Sequence, residues 1–283
     1  MSEKFSIGVV GAGQMGAGIA HSCAQAGLEV ILWDQDSPAV TKGIGGVKRR
    51  LEQGVEKGKI SAQDKDLVLS KISAGTDISQ LSKCNLVIEA IIENVDIKGR
   101  LFTSLDQILA PDAIIASNTS SISLTRIAAF TKRPDKVIGL HFMNPVPVMQ
   151  LVEVIKGLQT SEETYKRGLE LVATINKTAI LAPDAPGFVV NRILCPMINE
   201  AIFLLQQGVT PQDIDSAMKL GTNQPMGPLE LADFVGLDTL LFILQILHRE
   251  LGEDKYRPCP LLVKYVEAGW YGRKNGRGFY VYP

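Results

Sequence analysis

Two side chains have the chemistry of a proton-transfer couple. His141 is one of three histidines in the 283 residues, and it directly follows the apolar run 137–140. Glu153 stands inside a second apolar run, 151–155, where an unpaired carboxylate is costly. Between them Asn144-Pro145-Val146-Pro147 can turn the chain so that the two meet. A histidine backed by a carboxylate can take the proton of an alcohol while its hydride leaves for a nicotinamide. Read alone, a lone histidine at a strand end is more often structural than catalytic, so these residues mark a candidate and no more.

A second signal opens the chain. Gly11-Ala12-Gly13-Gln14-Met15-Gly16 matches G-x-G-x-x-G, a weak pattern by itself. Here it follows a strand-like run and precedes a helix-like one, the context that the pattern requires. The first glycine permits a tight turn, the second a close approach of backbone to a pyrophosphate, and the third close packing of helix on strand. The helix N-terminus adds unsatisfied N–H groups and partial positive charge. Asp34 closes the next strand-like run. A carboxylate there accepts both ribose hydroxyls of an adenosine and repels a 2′-phosphate, which favours NAD over NADP. The plainer alternatives are an ordinary strand-to-helix turn and a solvated Asp.

These residues need elements to hold them. Residues 5–10 predict a strand covered on both faces, about 15–26 a helix stopped at Gly27, and 29–33 a second strand. That strand–helix–strand unit is the repeating piece of a parallel α/β sheet. Residues 38 to about 69 read as helical with a break near 57–59. Further strand-like runs lie at 85–92, 113–116, 137–140, 151–155 and 178–181, with helices to about 109 and over 161–175. After Asp184 the pattern turns helical, and PDAPG at 183–187 is the natural junction. The expected architecture is α/β: a Rossmann-type, mostly parallel sheet domain over 1–184, followed by a smaller all-helical domain over 185–283.

Bulk properties narrow the function. Lys plus Arg number 29 against 30 Asp plus Glu, so no basic excess points to nucleic acid. No apolar stretch reaches the roughly 20 residues of a membrane helix. The polar start 1–4 runs straight into a strand, which leaves no room for a signal peptide. The four cysteines, Cys23, Cys84, Cys195 and Cys259, lie far apart without metal-ligand spacing. A cytoplasmic protein with reduced cysteines and no metal is expected.

Taken together, GAGQMGAGIA, VIEAIIEN, ASNTSS, GLHFMNPVPVMQLVEV, PGFVVNRI and GRKNGRGFY resemble the L-3-hydroxyacyl-CoA dehydrogenase family. The similarity runs from Ile7 to Tyr280 with the motifs in the family's order. It is greatest to bacterial members that act on 3-hydroxybutyryl-CoA. The resemblance implies His141 as catalytic base and Glu153 as the acid that orients it. Ser120 would touch substrate and cofactor, and Asn191 would lie near the reacting oxygen, in a cleft between the domains. With Gly11, Gly13, Gln14, Met15, Gly16 and Asp34, the residues Glu93, Lys98, Ser120, Asn144 and Lys274 would contact NAD. Lys57 would bind a phosphate of coenzyme A, with Ser120 also on the acyl-CoA; Arg50 stands where some relatives carry serine, and it is placed on the acyl-CoA by the basic cluster around it. A homodimer joined through the helical domain is implied too.

The chain has its own signal for the coenzyme A handle. Lys48, Arg49, Arg50, Lys57 and Lys59 cluster in a nearly neutral protein and suit a phosphorylated substrate. A solvated helix face is the alternative. Two rival functions remain open at this stage: a related dehydrogenase of a hydroxy acid without coenzyme A, and a dinucleotide-binding protein without catalysis. The second would lack His141 or Glu153, and both are present.

Overall fold

The computed structural model describes residues 5–283; residues 1–4, on which the reading of the N-terminus rests, lie outside the described residues. The chain divides after Asp184 into two compact units. In the first, β1 (Ser6–Val10), α1 (Gln14–Gln25) and β2 (Glu29–Trp33) form the expected strand–helix–strand unit. There follow α2 (Ser37–Glu56), α3 (Ala62–Ser70), β3 (Ile72–Ala74), β4 (Leu86–Glu89), α4 (Val95–Ile108) and β5 (Ile114–Ser117). Then come α5 (Leu124–Ala128), β6 (Val137–Phe142), β7 (Leu151–Lys156), α6 (Glu162–Thr174) and β8 (Thr178–Pro183).

The strands make one eight-stranded sheet in the order β3-β2-β1-β4-β5-β6-β7-β8. Neighbours run parallel except β6 and β7, which are antiparallel. Chain order reverses at β1, between β2 and β4, and open α/β sheets bind ligands in the crevice outside the carboxyl ends of such strands. Helices must cover both faces, because both are apolar. Ile7, Val9, Leu86, Ile88 and Ile114 enter one core cluster with residues of α1, α2 and α6. Val10, Val87 and Ile115 enter the other with Phe102 and Leu105 of α4 and Ile127 of α5.

The sequence expectations missed the short α5, and they differ from the structure at three strands in particular. β3 is too short to carry a pattern, and only Ile72 of its residues is buried. β4 ends at Glu89 rather than at 92, because the chain leaves the sheet toward α4, whose N-terminus Asn94 caps by accepting from Asp96 and Ile97 N–H. β6 continues past residue 140, so His141 lies within the strand and is fixed by its ladder.

The second unit holds α7 (Val190–Gln206), α8 (Pro211–Thr222), α9 (Pro228–Val235), α10 (Leu237–Leu251) and α11 (Pro260–Glu267). Its core gathers Ile198, Ile202, Leu229, Leu240, Leu244, Leu247 and Leu262. Two buried aspartates tie its last residues down. Asp233 accepts from the N–H groups of Phe279 and Tyr280, both at 2.9 Å, and from the Tyr282 hydroxyl at 3.0 Å. Asp215 accepts from Leu229 N at 2.8 Å and Glu230 N at 3.0 Å, satisfying the first turn of α9, and from the Tyr280 hydroxyl at 2.7 Å. A carboxylate at a helix N-terminus also meets the favourable end of the helix dipole. Among the described residues no single helix is long and apolar enough to cross a membrane.

Asp233→Ala leaves the part-buried N–H groups of Phe279 and Tyr280 without an acceptor. It is expected to lower the unfolding free energy by about 1–3 kcal/mol per unsatisfied group, read from urea denaturation. An unchanged midpoint would make the aspartate a bystander.

Candidate active site

The glycine turn is built as a cofactor cradle. Gly11 has φ +101° and donates its N–H to Trp33 O at 2.8 Å. A Cβ on it would lie 2.5 Å from Ala90 O, so only glycine lets β1 and the end of β4 come this close. A Cβ on Gly16 would stand 1.7 Å from Gly11 O, which makes the third glycine a packing requirement. Gly13 is different: a Cβ there would meet nothing within 4 Å. It is the N-cap of α1 and has no side chain to cap it. The open space and uncapped N–H groups together suit a pyrophosphate.

Asp34 has a second duty that the sequence did not reveal. One carboxylate oxygen accepts from Ala12 N at 2.8 Å, inside the glycine turn, and the other from Asp36 N at 3.0 Å. The side chain expected to read the ribose therefore also braces the pyrophosphate turn. Each oxygen keeps a lone pair for a ribose hydroxyl. These residues fit NAD, which supplies the hydride acceptor or donor. Gln14 opens α1 and donates from Nε2 to Asn144 Oδ1 at 3.0 Å, while Met15 is half-buried.

At the ends of β4 and β5 lies a charged network. Glu89 is fully buried and holds the Lys98 ammonium on one oxygen and the Ser117 hydroxyl, at 2.6 Å, on the other. Lys98 also reaches Glu93 Oε2 at 3.4 Å. Glu93 Oε1 gathers the Thr119 hydroxyl at 2.5 Å, Ser120 N at 2.9 Å, Ser121 N at 3.0 Å and the Ser121 hydroxyl at 2.8 Å. The Ser120 hydroxyl stands 3.3 Å from the same oxygen. Burial pushes the Glu93 carboxyl up, but the Lys98 charge and the hydroxyl and N–H donors outweigh it and hold it below the usual carboxylate range. Lys98 is only 1% exposed, so its charge serves the two glutamates, and it lies beneath the surface that a ligand could touch.

His141 and Glu153 do meet. They are direct partners across the antiparallel β6–β7 ladder, and His141 Nδ1 lies 2.6 Å from Glu153 Oε2. The glutamate is fully buried and the histidine nearly so. Phe142 N donates to Asn118 Oδ1 at 2.8 Å, which locks the end of β6 to the loop that carries Ser120.

The basic cluster lies on and just beyond α2. Arg49, Arg50, Lys57 and Lys59 are exposed and take part in no ion pair among the described residues; Lys48 is 3.9 Å from Glu52. Arg50 and Lys57, about two helical turns apart, lie along one side of α2. In the second unit, Asn191 is half-buried in the first turn of α7. Lys274 is exposed and ion-paired with Asp238.

Of the residues singled out in the sequence, the first unit gathers the glycine turn, Asp34, Glu93, Lys98, Ser120, Asn144, His141 and Glu153 at or near the carboxyl edge of the sheet. Glu89 and Ser117 were missed. The signal for Glu89 was the one that marked Glu153, an acid within an apolar run.

Fold and site define a dinucleotide-dependent oxidoreductase. Residues 6–185 match the 3-hydroxyacyl-CoA dehydrogenase NAD binding domain, and residues 187–282 match the 3-hydroxyacyl-CoA dehydrogenase C-terminal domain. The chain is 52% identical over 277 residues to a 3-hydroxybutyryl-CoA dehydrogenase of Bradyrhizobium diazoefficiens, covering 98% of this chain and 94% of that protein. It is 44% identical over 282 residues to the mitochondrial hydroxyacyl-coenzyme A dehydrogenase of Homo sapiens, covering 97% and 90%. The crystal structure of (S)-3-hydroxybutyryl-CoA dehydrogenase from Ralstonia eutropha superposes with a TM-score of 0.94 at 49% identity, covering 98% of this chain and 99% of that one. The chain belongs to the 3-hydroxyacyl-CoA dehydrogenase family and is an NAD-dependent oxidoreductase.

Asp34 at the ribose end predicts the choice between dinucleotides. NADH should exceed NADPH in kcat/KM by about a hundredfold or more, since juxtaposed like charges cost several kcal/mol. Steady-state rates with each cofactor measure this, and equal efficiencies would remove Asp34 from that role.

Proposed function

We propose that the enzyme interconverts (S)-3-hydroxybutyryl-CoA and acetoacetyl-CoA, with the His141–Glu153 pair as general acid and base. The observation that carries this reading is the 2.6 Å contact between two buried groups at the carboxyl edge of a dinucleotide-binding sheet. The short acyl chain is supported by the names of the bacterial relatives.

In oxidation, His141 takes the proton of the 3-hydroxyl while C3 gives up its hydride and the carbon–oxygen double bond forms. In reduction the imidazolium returns that proton to the oxygen. Glu153 holds Nδ1, so the transferred proton is the one on Nε2. The carboxylate's negative charge lowers the energy of the imidazolium formed in oxidation and consumed in reduction. Ser120, its backbone fixed by Glu93, presents a hydroxyl to substrate and cofactor, and Asn144 lies beside the nicotinamide. Lys98 acts through Glu93. Asn191 and Lys274 keep the roles that the family resemblance implies. Arg50 and Lys57 receive phosphates of coenzyme A, for which their exposure and lack of acidic partners suit them. The protein works as a homodimer in the cytoplasm.

His141→Gln is expected to lower kcat about 10²–10⁴-fold, the scale of general acid–base catalysis, with NADH affinity unchanged by calorimetry. Glu153→Gln keeps the shape and removes the charge. Reduction needs the protonated histidine, so its activity should fall most on the alkaline side and partly recover at lower pH. Oxidation, which needs the neutral base, should suffer less at neutral pH. Parental rates with an unmoved pH profile would reduce Glu153 to a structural acid.

Lys57→Ala tests the coenzyme A handle. The KM for acetoacetyl-CoA should rise about two- to fivefold, the scale of one exposed ion pair, while NADH binding stays as it was. An unaltered KM would move the phosphate site elsewhere on the basic face.

A further inference from the structure

Residues 143–150 carry the chain from the end of β6 to the start of β7, and they include Asn144. Three contacts within the first unit hold this loop. Gln14 donates to Asn144 Oδ1 at 3.0 Å. Val148 and Met149 both donate their N–H groups to Pro145 O at 3.0 Å. Val146 is buried against α1 at Gly18, where a Cβ would come within 2.9 Å of the valine Cβ.

A fourth contact comes from far along the chain. Lys177 Nζ donates to Val146 O and to Met149 O, each at 2.7 Å. Its own backbone is fixed at the other end of the loop, because the next residue, Thr178, donates its N–H to Gln150 O at 2.8 Å. Among the described residues no carboxylate pairs with this ammonium, which donates to the two loop carbonyls. Burial lowers the Lys177 pKa, an effect that Cys23 partly opposes. His21, on the turn of α1 after Gly18, is lowered to about 4 by burial and then by the charges of Arg50 and Lys177. The ammonium is thus near enough to α1 for its charge to act on His21.

We propose that Lys177 is a positioning residue for the cofactor: by holding the Val146 and Met149 carbonyls it fixes the β6–β7 loop so that Asn144 meets Gln14 beside the glycine turn. This rests on the reading of Asn144 as a neighbour of the nicotinamide. Lys177 does not set the His141–Glu153 geometry, which the β6–β7 ladder fixes independently. A hydrocarbon of similar length would fill the same space and leave both carbonyls without a donor. The effect should therefore fall on cofactor binding and spare proton transfer.

The test compares Lys177→Met with Lys177→Arg in the full chain, with circular dichroism and urea denaturation to establish folding. NADH binding is measured by calorimetry without acyl-CoA. Lys177→Met is expected to raise the NADH Kd about tenfold, and Lys177→Arg, which keeps the donors, to stay within about threefold of the parent. With acetoacetyl-CoA, the KM for NADH should rise in parallel, while the KM for acetoacetyl-CoA and the pH profile hold. Asn144→Ala combined with Lys177→Met should bind NADH about as weakly as Asn144→Ala alone. A folded Lys177→Met with parental NADH affinity overturns the proposal, as does full additivity with Asn144→Ala. If Lys177→Met fails to fold, Lys177→Gln takes its place, and parental affinity in that variant is equally fatal. Because NADH binding is read without substrate, a parent enzyme inactive on acetoacetyl-CoA would defeat the proposed substrate and leave this result standing.

Discussion

A carboxylate with no exposed surface must find a partner or give up its charge. Glu153 is such a group, and its partner is fixed by the reversal of one strand. Had β7 continued the parallel order, its residues would have met β6 through slanted bonds after a long crossover. Running antiparallel, it sets Glu153 directly opposite His141. The loop between them is short, and it places Asn144 at the same edge of the sheet. The His141–Glu153 contact, the loop and the end of β6 thus follow from one local choice of direction.

The same electrostatic rule governs the neighbouring strand ends. Glu89 has no exposure and Lys98 almost none, so each depends on the other. One ammonium shared between Glu89 and Glu93 leaves a net negative charge, and the hydroxyl and N–H donors of 117–121 gather around it. Removing one partner from such a network exposes the others to the full penalty of burial. That rigidity holds the serine loop in register with β6, to which Asn118 bonds directly.

Positive charge is handled differently. On and just beyond α2, Arg49, Arg50, Lys57 and Lys59 stay on the surface and take part in no ion pair among the described residues. At the glycine turn no side-chain charge is used, and the helix N-terminus supplies a partial one. Asp34 links the end of β2 to the glycine turn, with one oxygen on Ala12 N and the other on Asp36 N.

Much of this was legible in the chain itself. The glycine pattern, the α/β alternation, the change to helix after Asp184 and the acid Glu153 in its apolar run are local features, and local sterics and periodicity write them into the sequence. His141 and Glu153 could be nominated, but nothing local said that they would be paired. Pairing depends on strand direction and register, which the whole sheet decides. For the same reason the bond of Asp34 to Ala12 and the reach of Lys177 to Val146 and Met149 were invisible: each joins residues well separated in sequence, and no periodicity records which distant backbone a side chain will meet. The sequence by itself determined which groups could do the chemistry. Only the tertiary structure decided their partners, because a buried charge is satisfied by whatever the fold brings next to it.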